Sequence, residues 1–221
     1  MKWGIIPKTV IDIGANRGHF SAAIRYVFPD SAIFAFEPLR DCYDALCKRG
    51  RNFSNFHAYN VALSDMDGDS IIHRSSYDYS SSLLQMGDLH KQAFPHSAES
   101  VKENVSTRRL DGILTDVNID HPILMKIDVQ GSEHLVLRGA VETLKRTDAV
   151  LCELSFRPLY DKQPLFDDIY SVLVCSGFRF MGVLNQLRNP KDDVPLQIDG
   201  LFIREESLKF NNFEEPAISV I

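Results

Sequence analysis

The ten residues from Thr9 to Gly18, TVIDIGANRG, constrain this chain more than any other stretch. Val10, Ile11 and Ile13 form a short apolar run, which suits a strand buried on both faces of a parallel sheet. Asp12 interrupts the run near its end, and Gly14 and Gly18 follow at D-x-G-x-x-x-G spacing. A helical pattern starts at once, with Phe20, Ala23, Ile24 and Val27 predicted on one buried face. Strand, glycine turn and helix start make a nucleotide-binding corner. The glycines let the backbone approach a ligand, and the helix start offers unpaired N–H groups. A tight turn that binds nothing has the same local pattern, so the rest of the chain must decide.

Pro29-Asp30 ends that helix, and residues 32–36 (AIFAF) read as a second buried strand. The strand runs into Glu37, 19 residues after Gly18, where doubly wound nucleotide-binding folds place an acid on the ribose hydroxyls. A carboxylate can accept from both hydroxyls of a cis-diol; the alternative is that Glu37 only caps the next helix. Pro38 lacks an N–H and suits that helix start, predicted over residues 41–49.

Residues 55–59 read as a third strand, followed by NVALSD at 60–65. The D-x-D-G at 65–68 resembles a calcium loop superficially, but a new strand follows at once, so it is read as a tight turn. Residues 75–107 are the least regular part of the chain and are read as a lid or substrate-facing insertion, with a functionless surface excursion as the alternative. Residues 110–114 (LDGIL) form a short helical turn. The fourth core strand, PILMKIDV (122–129), places Leu124, Lys126 and Asp128 on one face. A lysine in a central strand needs a partner; Asp12 and Glu153, the latter in the fifth strand, are the candidates. Lys126 either braces the strand ends or meets substrate. Ser132 is placed as the N-cap of a long helix running to Leu144, with Glu133 in its first turn, where the helix dipole favours a carboxylate. A further helix over 165–175 and strands over 177–183 and 197–203, antiparallel neighbours, complete the pattern. One domain is expected over residues 1–204, followed by a tail at 205–221 without clear period.

The net charge of −6 over 221 residues argues against a general nucleic-acid or anionic-membrane surface. No apolar run approaches the ~18 residues of a membrane span. The N-terminus runs straight into the first strand and does not read as a secretory signal. Cys42, Cys47, Cys152 and Cys175 make no C-x-x-C pair, so free thiols in a reducing cytoplasm are expected. The seven histidines are scattered, and no metal site is expected.

Taken together, VIDIGANRGHFS (10–21), AFEP (35–38), NVALSD (60–65), LDGIL (110–114), KIDVQGSEHLVLRGA (126–140) and DGLF (199–202) resemble the FkbM family of class I S-adenosylmethionine-dependent methyltransferases. The pattern departs at its start, where almost nothing precedes the first strand; an N-terminal helix over the cofactor is expected to be missing or supplied elsewhere. The resemblance implies an α/β fold: a doubly wound, Rossmann-like seven-stranded sheet, mostly parallel with the last strand antiparallel, and helices on both faces. It implies O-methylation of a hydroxyl on a small molecule or glycan. Carried over by position, Asp12, Gly14, Asn16 and Gly18 would surround the methionine and ribose parts of the cofactor. Glu37 and Pro38 would hold the ribose, Ala62, Leu63 and Ser64 would border the adenine, and Asp128 would sit near the sulfonium.

A hydroxyl nucleophile loses a proton, so a positioned base adds about 10²–10⁴-fold. Asp128, Glu133, His134 and Glu153 are the candidates, with Asp128 favoured as the contact near the transferred methyl and Lys126 beside it. Tyr77, Tyr79, the neighbouring serines, and residues 156–160 are expected to line the acceptor site, with Arg157 read as a solvated charge. Two other classes stay open: a non-catalytic cofactor-binding module, and a nicotinamide-dependent oxidoreductase, which normally shows G-x-G-x-x-G. Methylation of nucleic acid is disfavoured by the acidic charge.

Overall fold

The computed structural model describes residues 5–209. Its frame starts with β1 (Thr9–Ile13), α1 (His19–Val27), β2 (Ala32–Phe36), α2 (Arg40–Gly50) and β3 (Phe56–Tyr59). A small sheet follows, built from β4 (Ala62–Leu63), β5 (Gly68–Ser75) and β6 (Ser100–Arg108), with α3 (Asp88–Ala93) between the last two. Then come α4 (Leu110–Leu114), β7 (Ile123–Ile127), α5 (Glu133–Gly139), α6 (Val141–Arg146) and β8 (Ala149–Ser155). The last elements are α7 (Phe166–Cys175), β9 (Phe178–Arg188), β10 (Pro195–Arg204) and α8 (Glu205–Lys209).

The main sheet has seven strands in the order β3-β2-β1-β7-β8-β10-β9. The first five are mutually parallel, and β10 runs antiparallel to both of its neighbours. The alternation of the strands explains the layers. Ile11, Ile13, Phe34, Phe36, Met125, Val150 and Phe202 enter one core with α4 to α7, while Val10, Ile33 and Ala35 pack on the other face against Ile24 and Leu46 of α1 and α2. Strand order reverses between β1 and β7, and in open α/β sheets the ligand crevice opens outside the carboxyl ends of such a pair.

Four local expectations are corrected. The buried face of α1 is Ser21 and Ile24, with Phe20 and Phe28 half-buried; Ala23 is exposed and Val27 is 56% exposed. Residues 75–107 are more regular than their composition suggests, because Val101 to Val105 belong to β6, which pairs antiparallel along all of β5. The helix expected through Leu144 breaks into α5 and α6 at Ala140. The break accompanies close packing: a Cβ on Gly139 would lie 2.0 Å from the Ser64 carbonyl oxygen. Ser132 occupies the N-cap position of α5 but does not cap it, since its hydroxyl donates to Val129 O. The expected tail begins as a helix, α8, and residues 210–221 lie outside the described residues. Asp65 to Gly68 form the expected bend, where Asp67 accepts from Arg109 N. All four cysteines are free. Among the described residues, no helix is long and apolar enough to cross a membrane.

Candidate active site

The β1–α1 turn sets the floor of the site. Gly14 has φ +74, and a Cβ there would meet the Asp128 carbonyl oxygen at 1.8 Å, so only glycine allows the two strand ends to approach this closely. Gly18 also has a positive φ, +78, but it faces Leu46 and serves packing; it does not border the cleft. Asp12 is fully buried beneath the turn. One of its oxygens accepts from the Ser21 hydroxyl at 2.6 Å, and the other faces the Lys126 ammonium at 3.5 Å. Lys126 also donates to Gly14 O at 2.9 Å and pairs with Asp128 at 3.2 Å. Its partners are therefore Asp12 and Asp128, and not Glu153 as one reading of the sequence had it. Burial works against the ammonium, but Asp128 and Asp12 outweigh it, and its pKa is raised. Lys126 braces three backbone and side-chain groups under the cleft.

Glu37 directly follows β2 and is 5% exposed. One carboxylate oxygen accepts from Asn16 N at 2.9 Å and the other from Leu39 N at 2.8 Å, which aims the group across the crevice. Burial pushes its pKa up to about 7, against the pull of those two N–H donors. Around it runs a cleft bordered by Gly14, Asn16, Pro38, Ala62, Leu63 and Asp128, with Leu39, Val61, Ile72 and Leu83 supplying an apolar slot. Ser64 lies outside this lining; it sits under Gly139. An acid at the centre, an apolar slot at one end and no lysine or arginine in the wall suit a nucleoside carrying a cationic sulfonium. The same wall is poor for a pyrophosphate, which helix starts and cations normally hold.

The cleft is roofed by the segment after β5. Asp78, Tyr79, Ser81 and Ser82 border it, and this segment is tied down across the molecule. Arg17 pairs with Asp78 at 2.6 Å and with Asp41 at 3.4 Å. Arg74 pairs with Asp41 at 2.8 Å and Asp78 at 3.4 Å, and the Tyr79 hydroxyl lies 2.7 Å from His19 Nδ1.

A second cavity adjoins the first at Asp128 and Tyr79. Tyr77, His90, Phe94 and His96 form its aromatic wall, while Gln130, Glu153, Asn185, Gln197 and Asp199 face it with amides and carboxyls. Asp199 follows from topology: β10 lies antiparallel to β8 with Asp199 directly opposite Glu153. Burial first, then the charges of Asp128, Glu133 and Asp199, raise the Glu153 pKa well above the usual carboxylate range. Burial and Asp128 likewise raise that of Asp199, with Asn185 opposing. Gln130 donates to Asp128 at 2.7 Å and to Glu153 at 3.2 Å.

The other candidates are dispersed. Glu133 is buried and accepts from Gly131 N at 3.0 Å and Val129 N at 3.2 Å, so it builds the β7–α5 turn, and burial raises its pKa to about 7. His134 points into a separate groove with Leu137, Arg138, Val141 and Cys175, away from both cavities. Phe156, Arg157 and Pro158 are exposed and do not reach the acceptor cavity; Tyr160 is buried behind its wall, against Gln130, Ser80 and His90. Asp199, Gln130 and Asn185 were missed as site residues. DGLF and KIDVQG were visible as motifs, but nothing in a linear motif tells which residue faces the cavity.

Residues 12–180 match the Methyltransferase FkbM domain. The chain is 29% identical over 161 residues to the 2-O-methyltransferase NoeI of Sinorhizobium fredii, covering 70% of this chain and 66% of that protein. It is 28% identical over 156 residues to the methyltransferase sdnD of Sordaria araneosa, covering 60% of each. The chain thus spans about three-fifths to two-thirds of the length of these curated relatives. Among solved structures, the fibrillarin of Aeropyrum pernix with natively bound S-adenosyl-L-methionine superposes with a TM-score of 0.49 at 12% identity, covering 92% of this chain and 69% of that one. The domain match covers most of the chain: the protein belongs to the FkbM methyltransferase family, and S-adenosylmethionine is its cofactor.

Proposed function

We propose that the protein is an O-methyltransferase acting on a hydroxyl of an uncharged or cationic small molecule or glycan. The observation that carries this reading is Glu153, a carboxyl of raised pKa in the wall of a second cavity that joins the cofactor cleft at Asp128. Bound S-adenosylmethionine supplies an electrophilic methyl group on a positively charged sulfur. Glu37 would accept from the ribose diol, Gly14 and Asn16 would let the chain approach closely, and Pro38, Ala62 and Leu63 would border the base. Asp128 would face the sulfonium end, with Asp12 and Lys126 holding it from below.

Methyl transfer gains mostly from alignment of the reacting groups at about 3 Å. What remains is the hydroxyl proton. Glu153, ionised, accepts it, and the raised pKa makes it a stronger base than a solvated carboxylate. The acceptor cavity contains carboxyls and amides and no lysine or arginine, so phosphate- or carboxylate-bearing acceptors would be repelled. The similarity to NoeI, a 2-O-methyltransferase, supports oxygen as the atom methylated. The four free thiols fit a cytoplasmic setting.

The test is release of S-adenosylhomocysteine in the presence of neutral polyols and glycosides, amino sugars, and their phosphorylated or carboxylated counterparts. Turnover is expected with the first two groups, and Glu153→Gln should lower kcat by about 10²–10⁴-fold while cofactor affinity is kept. Preference for anionic acceptors refutes the assignment of the cavity. Tight cofactor binding without turnover of any acceptor favours a non-catalytic binding module.

A further inference from the structure

Gln130 follows β7 in a left-handed conformation, φ +58, which a non-glycine residue adopts at a cost. Glycine would relieve that cost, and the next residue is already a glycine. The side chain is therefore what the position holds. Its Nε2 donates to Asp128 at 2.7 Å and to Glu153 at 3.2 Å, bridging the ends of β7 and β8. Its Oε1 accepts from the Tyr160 hydroxyl at 3.1 Å, which fixes the amide so that the NH₂ faces the carboxylates. Its backbone carbonyl accepts from the Ser82 hydroxyl at 2.6 Å, and Tyr160 also lies within reach of Ser80 O at 3.2 Å. One residue thus joins both carboxylates to the segment that roofs the cofactor cleft.

We propose that Gln130 is a positioning residue of the reaction: its amide holds Asp128 and Glu153 as one hydrogen-bonded pair, oriented through Tyr160 and the Ser80–Ser82 roof. This inference rests on the reading of Glu153 as the proton acceptor. The chemistry explains the residue type. Asp128 already has Lys126 on its other oxygen, with Asp12 behind. Asp199 approaches Glu153 from β10 and Glu133 lies behind β7, so the pair sits among further acids. A neutral amide can donate to two carboxylates at once without adding charge. A lysine or arginine there would pull the acceptor's pKa down and weaken it as a base; an alanine would leave Glu153 without this donor among like charges. His90, edge-on to Tyr160 with ring centroids 5.3 Å apart, completes the titratable surroundings, and burial lowers its pKa to about 4, so it stays neutral near pH 7.

The test is ¹³C NMR titration of the Glu153 carboxyl in cofactor-free wild type, Gln130→Ala and Tyr160→Phe, with Glu153→Gln assigning the signal. Removing the donor destabilises the ionised form, so the Glu153 midpoint is expected to rise by about one unit in Gln130→Ala, and by less in Tyr160→Phe. A midpoint that stays or falls overturns the proposal. If Gln130→Ala does not fold, Tyr160→Phe decides alone by the same criterion. With an acceptor in hand, the acidic limb of kcat should move up in pH while the KM for cofactor changes less than kcat. A merely structural role would lower kcat evenly across the pH range, and that result also overturns the proposal. A raised midpoint in a protein that turns over no acceptor leaves the Gln130 bridge standing and removes the methyl-transfer reading, so the two failures are separable.

Discussion

Glu37 makes a quantitative prediction about cofactor-free stability. Its pKa is about 7 in the folded chain, against 4.5 when unfolded. The folded state holds a proton that the unfolded state has already released over that interval. Stability from this group is therefore complete below about pH 4.5, falls as pH rises toward 7, and levels off above. The difference of some 2.5 units corresponds to about 3 kcal/mol, with a slope of at most about 1.4 kcal/mol per pH unit. Glu133, also near 7, contributes with the same sign, whereas His90, held near 4, loses stability as pH falls below 6.5. The wild-type curve is thus a composite, and Glu37→Gln isolates one component. Glutamine turns an NH₂ toward either Asn16 N or Leu39 N, which costs about 1–3 kcal/mol at every pH. The difference between variant and wild type should nevertheless shift in the variant's favour by about 3 kcal/mol between pH 4.5 and 8. Urea denaturation followed by circular dichroism in half-unit pH steps measures it. Parallel curves would refute the reasoning. The same linkage predicts that cofactor affinity weakens below pH 7, and that titration calorimetry in two buffers of different ionisation enthalpy records close to one proton released per binding event at pH 6.

Lys126→Ala strips the ammonium from Asp12 and Asp128 and leaves a fully buried carboxylate beside a second one. A loss of about 3–5 kcal/mol is expected in urea denaturation, and Asp12→Asn in the same chain should recover part of it. The roof over the cleft is tied by half-exposed ion pairs among Arg17, Arg74, Asp41 and Asp78. Such pairs contribute up to about 1 kcal/mol each and are screened by salt. Asp78→Asn should therefore speed cofactor dissociation about two- to fivefold at low ionic strength in stopped-flow displacement, and 0.5 M salt should bring wild type close to the variant; a salt-independent rate argues that the roof opens elsewhere.

The β1–α1 corner was legible because glycine spacing and a buried apolar run are local properties. The need of Lys126 for a partner was equally legible, since a central-strand cation has no other stable state. Asp12 met that need because β1 and β7 pair in parallel with Asp12 directly opposite Lys126. The second partner, Asp128, is its own neighbour two residues along on the same face. What composition concealed was pairing between distant segments. The polar run 100–108 looks irregular until β5 lies beside it, and the apolar stripe of α1 is decided by which side the sheet covers.

The chemistry of the site has the same origin. In isolation Glu153 and Asp199 are ordinary acids; residue type makes Glu153 one of four candidate bases, and nothing in the linear sequence singles out Asp199. Only the reversal of β10 against β8 sets them face to face, next to Asp128 at the end of β7, in a space that burial has partly dried. Their raised proton affinity is therefore a product of topology. An Asp199→Asn change should lower the Glu153 pKa, because it removes one of the negative charges that raise it while preserving shape; a Glu153 carboxyl that titrates unchanged in ¹³C NMR would separate the two groups and leave Glu153 to act alone.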